Sequence, residues 1–272
     1  HSLSRRQRQM CIRDSSCSMS ASERHFILFR DLPLMYGRVP KVANSSIKSS
    51  LCKLLKEKPD GDIKTTADRF WRQHTHGETH LITASQARRL RTTHFSFSFV
   101  RNPFDRLVAA YNNKILEIED GPLPMKQMGL YHEMSFDDFI HLVCTANPSQ
   151  MDNHVRPQSE ILLTEKKLVP KFVGRIEHMK QHWNLLKRRM KLEGLPPLGL
   201  LPQKNVRRDN HTDIKDYFKT TLLIDKVLER YAIDFKRFYT DYSIDELING
   251  DQLEQKPPLQ KSRRRGGVKT AN

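Results

Sequence analysis

Short apolar runs alternate along the chain with longer segments whose apolar residues recur at helical spacing, and that alternation predicts its elements. Residues 25–30 (HFILFR) read as a short buried strand, and 34–39 (LMYGRV) supply a second extended piece before Pro40. Asn44, Ser45 and Ser46 are helix N-cap residue types, after which Ile47, Leu51, Leu54 and Leu55 fall at helical spacing. At 95–100 Phe95, Phe97 and Phe99 alternate with Ser96 and Ser98, the period of a strand, and the run stops at an Arg-Asn-Pro turn. The next helix carries Phe104, Leu107, Val108, Tyr111 and Ile115 on one side.

The sequence of strand, loop and helix thus occurs twice. Farther on, 136–143 read as a helix capped by Ser135, and 171–175 (KFVGR) as a strand entering an amphipathic helix over 176–190. Helices over 217–231 and 235–239 close the chain, while 57–94 is polar, with short helices expected near 65–72 and 84–90. Strands alternating with helices imply an α/β domain with a mainly parallel central sheet flanked by helices. One domain over 25–250 is expected. The segments 1–24 and 251–272 have no apolar period and are expected to be tails.

Charge changes this picture only in part. The net charge is +16, of which the two end segments hold +3 and +4, leaving +9 on the body. That suits a nucleotide or a polyanion without choosing between them. Cys11, Cys17, Cys52 and Cys144 form neither a CxxC pair nor a dense disulfide framework, so no structural zinc site is expected. No apolar run approaches the roughly 18–20 residues of a membrane helix, so no membrane span is expected.

Phosphate chemistry is expected where strands end and helices begin, because helix N-termini offer N–H groups and partial positive charge. The first junction, RVPKVANSSIK, places Lys41 beside Asn44, Ser45 and Ser46; the second, FVRNPFDRLVAAY, places Arg101 where the strand ends and Arg106 one turn into the helix. Neither is a Walker A loop, since no GxxxxGK[ST] spacing occurs. At each junction a surface-exposed alternative exists, a capped helix with a solvated Lys41 or an Asp105–Arg106 ion pair.

Together the two junctions resemble the 5′-phosphosulfate loop and 3′-phosphate motif of the family-2 carbohydrate sulfotransferases, which include chondroitin, dermatan and HNK-1-like enzymes and bacterial relatives. DNHVRPQ at 152–158, KFVGRIEHM at 171–179 and YAIDFKRFYTDY at 231–242 resemble further segments of that family in the same order. The resemblance implies a P-loop-NTPase-like sulfotransferase fold and transfer of a sulfuryl group from 3′-phosphoadenosine-5′-phosphosulfate (PAPS) to a carbohydrate hydroxyl. It further implies Lys41, Val42, Ala43, Asn44, Ser45, Ser46, Arg101 and Arg106 as cofactor-binding residues, with Lys41 also catalytic and no metal required. Ala109 stands where the family usually has a Ser that helps bind the 3′-phosphate, so weaker cofactor affinity is expected.

The acceptor hydroxyl needs a base, and His is the side chain whose ordinary pKa fits. Of twelve His, His80 and His154 are the expected catalytic pair of candidates; His74, His76 and Glu177 remain alternatives. The basic body and the ARRLR run at 87–91 make an anionic glycan one expected acceptor, and no nucleic acid partner is expected. The competing readings are a non-catalytic basic module that binds glycan or nucleic acid, and a degenerate relative that holds PAPS without turnover. Animal members of the family are anchored in the Golgi; low cysteine usage favours a cytoplasmic microbial enzyme, with the Golgi lumen the expectation if an anchor precedes this sequence.

Overall fold

The computed structural model describes residues 23–57, 63–202 and 213–249, so the expected tails lie outside the described residues apart from 23, 24 and the boundary near 249. Strands β1 (Phe26–Phe29) and β2 (Leu34–Gly37) form a hairpin, followed by helix α1 (Asn44–Leu51), helix α2 (Asp68–Gln73) and strand β3 (Thr79–Ile82). Helix α3 (Ala84–Arg89) leads to strand β4 (Phe95–Val100) and helix α4 (Pro103–Tyr111), which runs into a π-helical turn, Asn112–Leu116. Helices α5 (Leu123–Gln127), α6 (Phe136–Thr145) and α7 (Gln158–Leu162) precede a two-residue ribbon, β5 (Leu163–Thr164) and β6 (Lys167–Leu168). Strand β7 (Phe172–Arg175) then enters helix α8 (Met179–Leu192), and helices α9 (Ile214–Tyr217), α10 (Thr221–Arg230), α11 (Ala232–Phe238) and α12 (Ile244–Asn249) complete the fold.

The sheet has the order β3-β1-β2-β4-β7. β2 pairs parallel with β4, and β4 with β7, while β1 runs antiparallel to both of its neighbours. Four strands therefore share one direction, and the architecture is mixed α/β with a mostly parallel central sheet flanked by helices, as the alternation of strands and helices predicts. β3 was not legible as a strand: THLI lies in a polar stretch, yet Thr79 and Leu81 are buried and His80 points outward. It completes the sheet edge through backbone pairing with β1.

β4 occupies the centre and is buried on both faces, serines included. The Ser/Phe alternation that resembles a half-exposed strand survives burial because the hydroxyls are satisfied. Ser98 donates to the Gly37 carbonyl at 2.7 Å and Ser96 to the Val169 carbonyl at 3.2 Å. Phe97 stacks on Tyr36 at 5.0 Å, and Phe99 packs against Trp183 at 6.1 Å. Gly174 in β7 has no room for a side chain, since a Cβ there would lie 2.3 Å from the Phe99 ring. This packing fixes the register of β4 against β7 and hence the relative height of the loops that leave them.

Candidate active site

β2, β4 and β7 are adjacent and parallel, so Lys41 after β2, Arg101 after β4 and Glu177 after β7 all leave the same edge of the sheet. This is where ligands bind in open α/β sheets. Lys41 and Ala43 have φ of 69° and 58°, a left-handed conformation that costs non-glycine residues about 1–3 kcal/mol each. The loop spends that energy to turn sharply into α1. Ala43 is the N-cap and there is no side-chain cap hydrogen bond. Asn44 lies inside the helix, where its Oδ1 accepts from the Tyr36 hydroxyl at 3.1 Å. The α1 N-terminus thus presents backbone N–H groups and the Lys41 charge together, the arrangement that holds a phosphate or sulfate.

Two buried cations steady this helix from behind. Lys48 donates to the Thr66 carbonyl at 2.9 Å and to Asp68 at 2.5 Å, and Arg38 pairs with the same carboxylate. Those charges hold Asp68 well below the ordinary carboxylate range despite its partial burial. Lys41 itself donates from Nζ to Asn113 Oδ1 in the π-helical turn. Asn113 was not singled out by sequence; π-turns inside helices are frequent at functional sites.

Arg101 grips Asp105 with two parallel hydrogen bonds of 2.6 and 2.8 Å, and a third donor reaches the Lys41 carbonyl at 3.2 Å. Asp105 therefore pairs with Arg101, one helical turn away, and not with Arg106. The 3.2 Å contact ties the two candidate phosphate loops to one another. Arg106 lies deeper, 1% exposed, and donates to three carbonyls: Pro40 at 3.1 Å, Arg156 at 2.6 Å and Asn153 at 2.9 Å. Its guanidinium ties the Lys41 loop to the 152–158 segment. Ala109, half-buried, lies on the α4 face one turn beyond Asp105.

The other recognisable segments close around the same junction. Gln158 accepts from the Arg101 N–H at 2.9 Å and donates to the Arg101 carbonyl at 2.8 Å, so one amide holds the strand end as a neighbouring strand would. Asp234 in turn accepts from the Gln158 and Ser159 N–H groups at 2.8 and 2.7 Å, capping α7 from a distant helix. Burial raises the Asp234 pKa, and these N–H bonds offset part of the rise. Glu177 accepts from the Asn102 N–H at 2.5 Å and from the Tyr239 hydroxyl at 3.1 Å. Its residue surface is only partly covered, but the carboxyl is enclosed, and burial pushes it up to about 7.

The base candidates are placed differently. His154 follows the Asn153 carbonyl that Arg106 ties to the Pro40 carbonyl before the Lys41 loop, and its Nδ1 lies 2.7 Å from Asp152. Burial raises the Asp152 carboxyl, but its hydrogen bond to His154 and the ring's charge more than offset this and lower it. His80 is exposed on the edge strand β3, two strands away from β2 and level with Met35 rather than with the strand ends. It is not brought to Lys41 or Arg101. His76 lies 3.3 Å from Glu57 on the loop before β3, and His74 ends α2. Arg91 donates to the Val169 carbonyl, below the start of β7, so the 87–91 run reaches the opposite end of the sheet from Lys41.

Among the described residues no cluster of His, Cys, Asp or Glu could hold a metal ion, and no helix is long and apolar enough to cross a membrane. Searches of the curated proteins and of the solved structures return no match. The family model described as the sulfotransferase family, whose members generally use PAPS as the sulfate donor, matches residues 24–242, from the strand before the Lys41 loop through the Tyr239 and Asp234 clamps. With four-fifths of its length matched and both phosphate-type junctions on one sheet edge, the chain belongs to the sulfotransferase family.

Proposed function

We propose that the chain transfers the sulfuryl group of PAPS to a hydroxyl of a carbohydrate acceptor. The observation that carries this reading is the convergence, at one sheet edge, of Lys41, the α1 N-terminus without a side-chain cap, and Arg101, joined by the 3.2 Å contact from Arg101 to the Lys41 carbonyl. In this reading the N–H groups and side chains of Val42, Ala43, Asn44, Ser45 and Ser46 hold the 5′-phosphosulfate, and Arg101 holds the 3′-phosphate. Arg106 contributes by fixing the loops it bridges. The fit rests on charge and donor type: both loops offer cations and N–H donors suited to phosphate oxygens.

Sulfuryl transfer resembles phosphoryl transfer in its loose transition state, so positioning and charge neutralisation supply most of the catalysis. Lys41 neutralises negative charge that develops on the leaving phosphate, and Asn113 holds its ammonium. His154 accepts the proton of the acceptor hydroxyl while Asp152 holds the ring's Nδ1, leaving Nε2 as the basic atom. His80 would need an acceptor reaching across to the sheet edge, and Glu177 already receives the Asn102 and Tyr239 donors. The test is transfer of radiolabelled sulfate from PAPS to a panel of neutral and uronate-containing oligosaccharides by wild type, Lys41→Ala and His154→Gln. Labelled product from wild type that falls at least about 100-fold in both variants supports the reading; labelling of no carbohydrate, or full activity in Lys41→Ala, refutes it.

A further inference from the structure

A cavity of about 330 Å³ lies between the π-helical turn, whose Asn113 meets Lys41, and residues 118–132. Ile115, Met125 and Leu130, all buried, and Ile118 form its apolar lining, and Lys114, Glu119, Lys126, Tyr131 and His132 supply the rest of the side-chain wall. Tyr131, which lines it, is 60% exposed, and Leu116 and Leu123, within two residues of lining positions along the chain, are 43% and 67% exposed. These are three of the seven large hydrophobics so exposed among the described residues, and all three fall within sixteen residues of one another. A cavity with an apolar lining and an exposed aromatic side chain in its wall is a candidate binding site, and this volume is at the small end of those that take small molecules.

Chain neighbours of two lining residues, Asn113 before Lys114 and Met128 before Gly129, make the contacts to the proposed reacting groups. The same π-turn puts Asn113 on the Lys41 ammonium and Lys114 in the cavity wall. The Asp152 N–H in turn donates to the Met128 sulfur at 3.3 Å, so the end of α5 packs directly under the carboxylate that holds His154. Charge in the cavity is nearly balanced. Lys126 is paired with Asp120, and Glu119 also lines the wall, so a polyanion finds little net attraction there.

We propose that this cavity is the acceptor subsite and receives a ring-sized apolar aglycone, leaving the attached sugar hydroxyl beside Lys41 and His154. The proposal rests on the sulfotransferase reading given above, and its test separates the two. Full-length isotope-labelled protein is titrated with p-nitrophenyl β-D-glucopyranoside and with methyl β-D-glucopyranoside, which differ only in the apolar group, and chemical shifts are followed. The same samples are titrated with 3′-phosphoadenosine-5′-phosphate.

Wild type is expected to bind the aryl glycoside at least about tenfold more tightly than the methyl glycoside, the effect of burying one ring, with shifts gathered at 114–132. Tyr131→Ser, at an exposed position that folding tolerates, and Ile118→Glu, which puts a charge in the cavity, are expected to abolish that preference and to leave nucleotide binding unchanged. Equal binding of the two glycosides, shifts centred elsewhere, or a preference that persists in both variants overturns the proposal. Failure of wild type to bind the nucleotide counts against the cofactor site alone, because the aryl preference reports the cavity independently.

Discussion

Replacing Arg106 by Met separates a residue that holds loops from one that holds ligand. The side chain is 1% exposed, and its three donors satisfy the carbonyls of Pro40, Asn153 and Arg156. Methionine fills much of the space but leaves those carbonyls without their donor. A hydrogen bond from a charged group contributes about 1.5–3 kcal/mol, and partial relaxation of the carbonyls toward water or other donors returns some of it. A net loss of about 3–5 kcal/mol follows, within the range for stripping a buried charged group from its partners. Against a typical domain stability of about 5–15 kcal/mol the variant still folds at low temperature. Urea denaturation is expected to show a lower midpoint with an unchanged slope. Arg106→Lys is expected to recover less than half the loss, since one ammonium cannot span three carbonyls. A stability loss under about 1 kcal/mol together with collapse of nucleotide affinity would refute the reasoning and make Arg106 a direct phosphate ligand.

Further predictions follow from single contacts. Glu177 is held near 7 in the folded state, above its ordinary value, so the native protein binds more protons than the unfolded chain between those values. Stability is therefore expected to fall as pH rises from about 4.5 to about 7, by an amount on the order of 2 kcal/mol. Glu177→Gln keeps an acceptor for Asn102 and should flatten that slope in thermal melts recorded across the range; an unchanged slope would contradict it. Gly174→Ala places a Cβ against Phe99 and is expected to cost about 1–3 kcal/mol by chemical denaturation.

Much of the fold is legible because burial writes itself into local pattern. The runs HFILFR, FSFSFV and KFVGR contain β1, β4 and β7, and Phe104, Leu107, Val108 and Tyr111 mark α4. β3 was hidden because an edge strand needs only Thr79 and Leu81 inward, too few to set a period in a polar stretch. Helix starts slipped where geometry replaced side-chain capping: Ala43, not Asn44 or a serine, caps α1 because the left-handed loop turns the chain there.

At the site, the residue types and junctions at Lys41 and Arg101 could be read from the chain, whereas their partners could not. Arg106 satisfies carbonyls 47 to 66 residues away, and Asp234 caps a helix 75 residues upstream; such links have no spacing of their own. Gln158 and Glu177 stood in recognisable segments, but their roles as clamps on the Arg101 and Asn102 backbone required the fold. His80 and His154 were equal candidates by residue type alone, and only the sheet register separates one at the edge strand from one beside the Lys41 loop.

Whether the Lys41 and Arg101 loops form one nucleotide site is read directly from calorimetric binding of 3′-phosphoadenosine-5′-phosphate. Wild type is expected to bind, and Lys41→Ala and Arg101→Ala each to weaken binding by about 1.5–3 kcal/mol, the loss of a charge-assisted contact. Absence of binding by the folded wild type, or undiminished binding by both variants, would mean that the two loops do not form a nucleotide site.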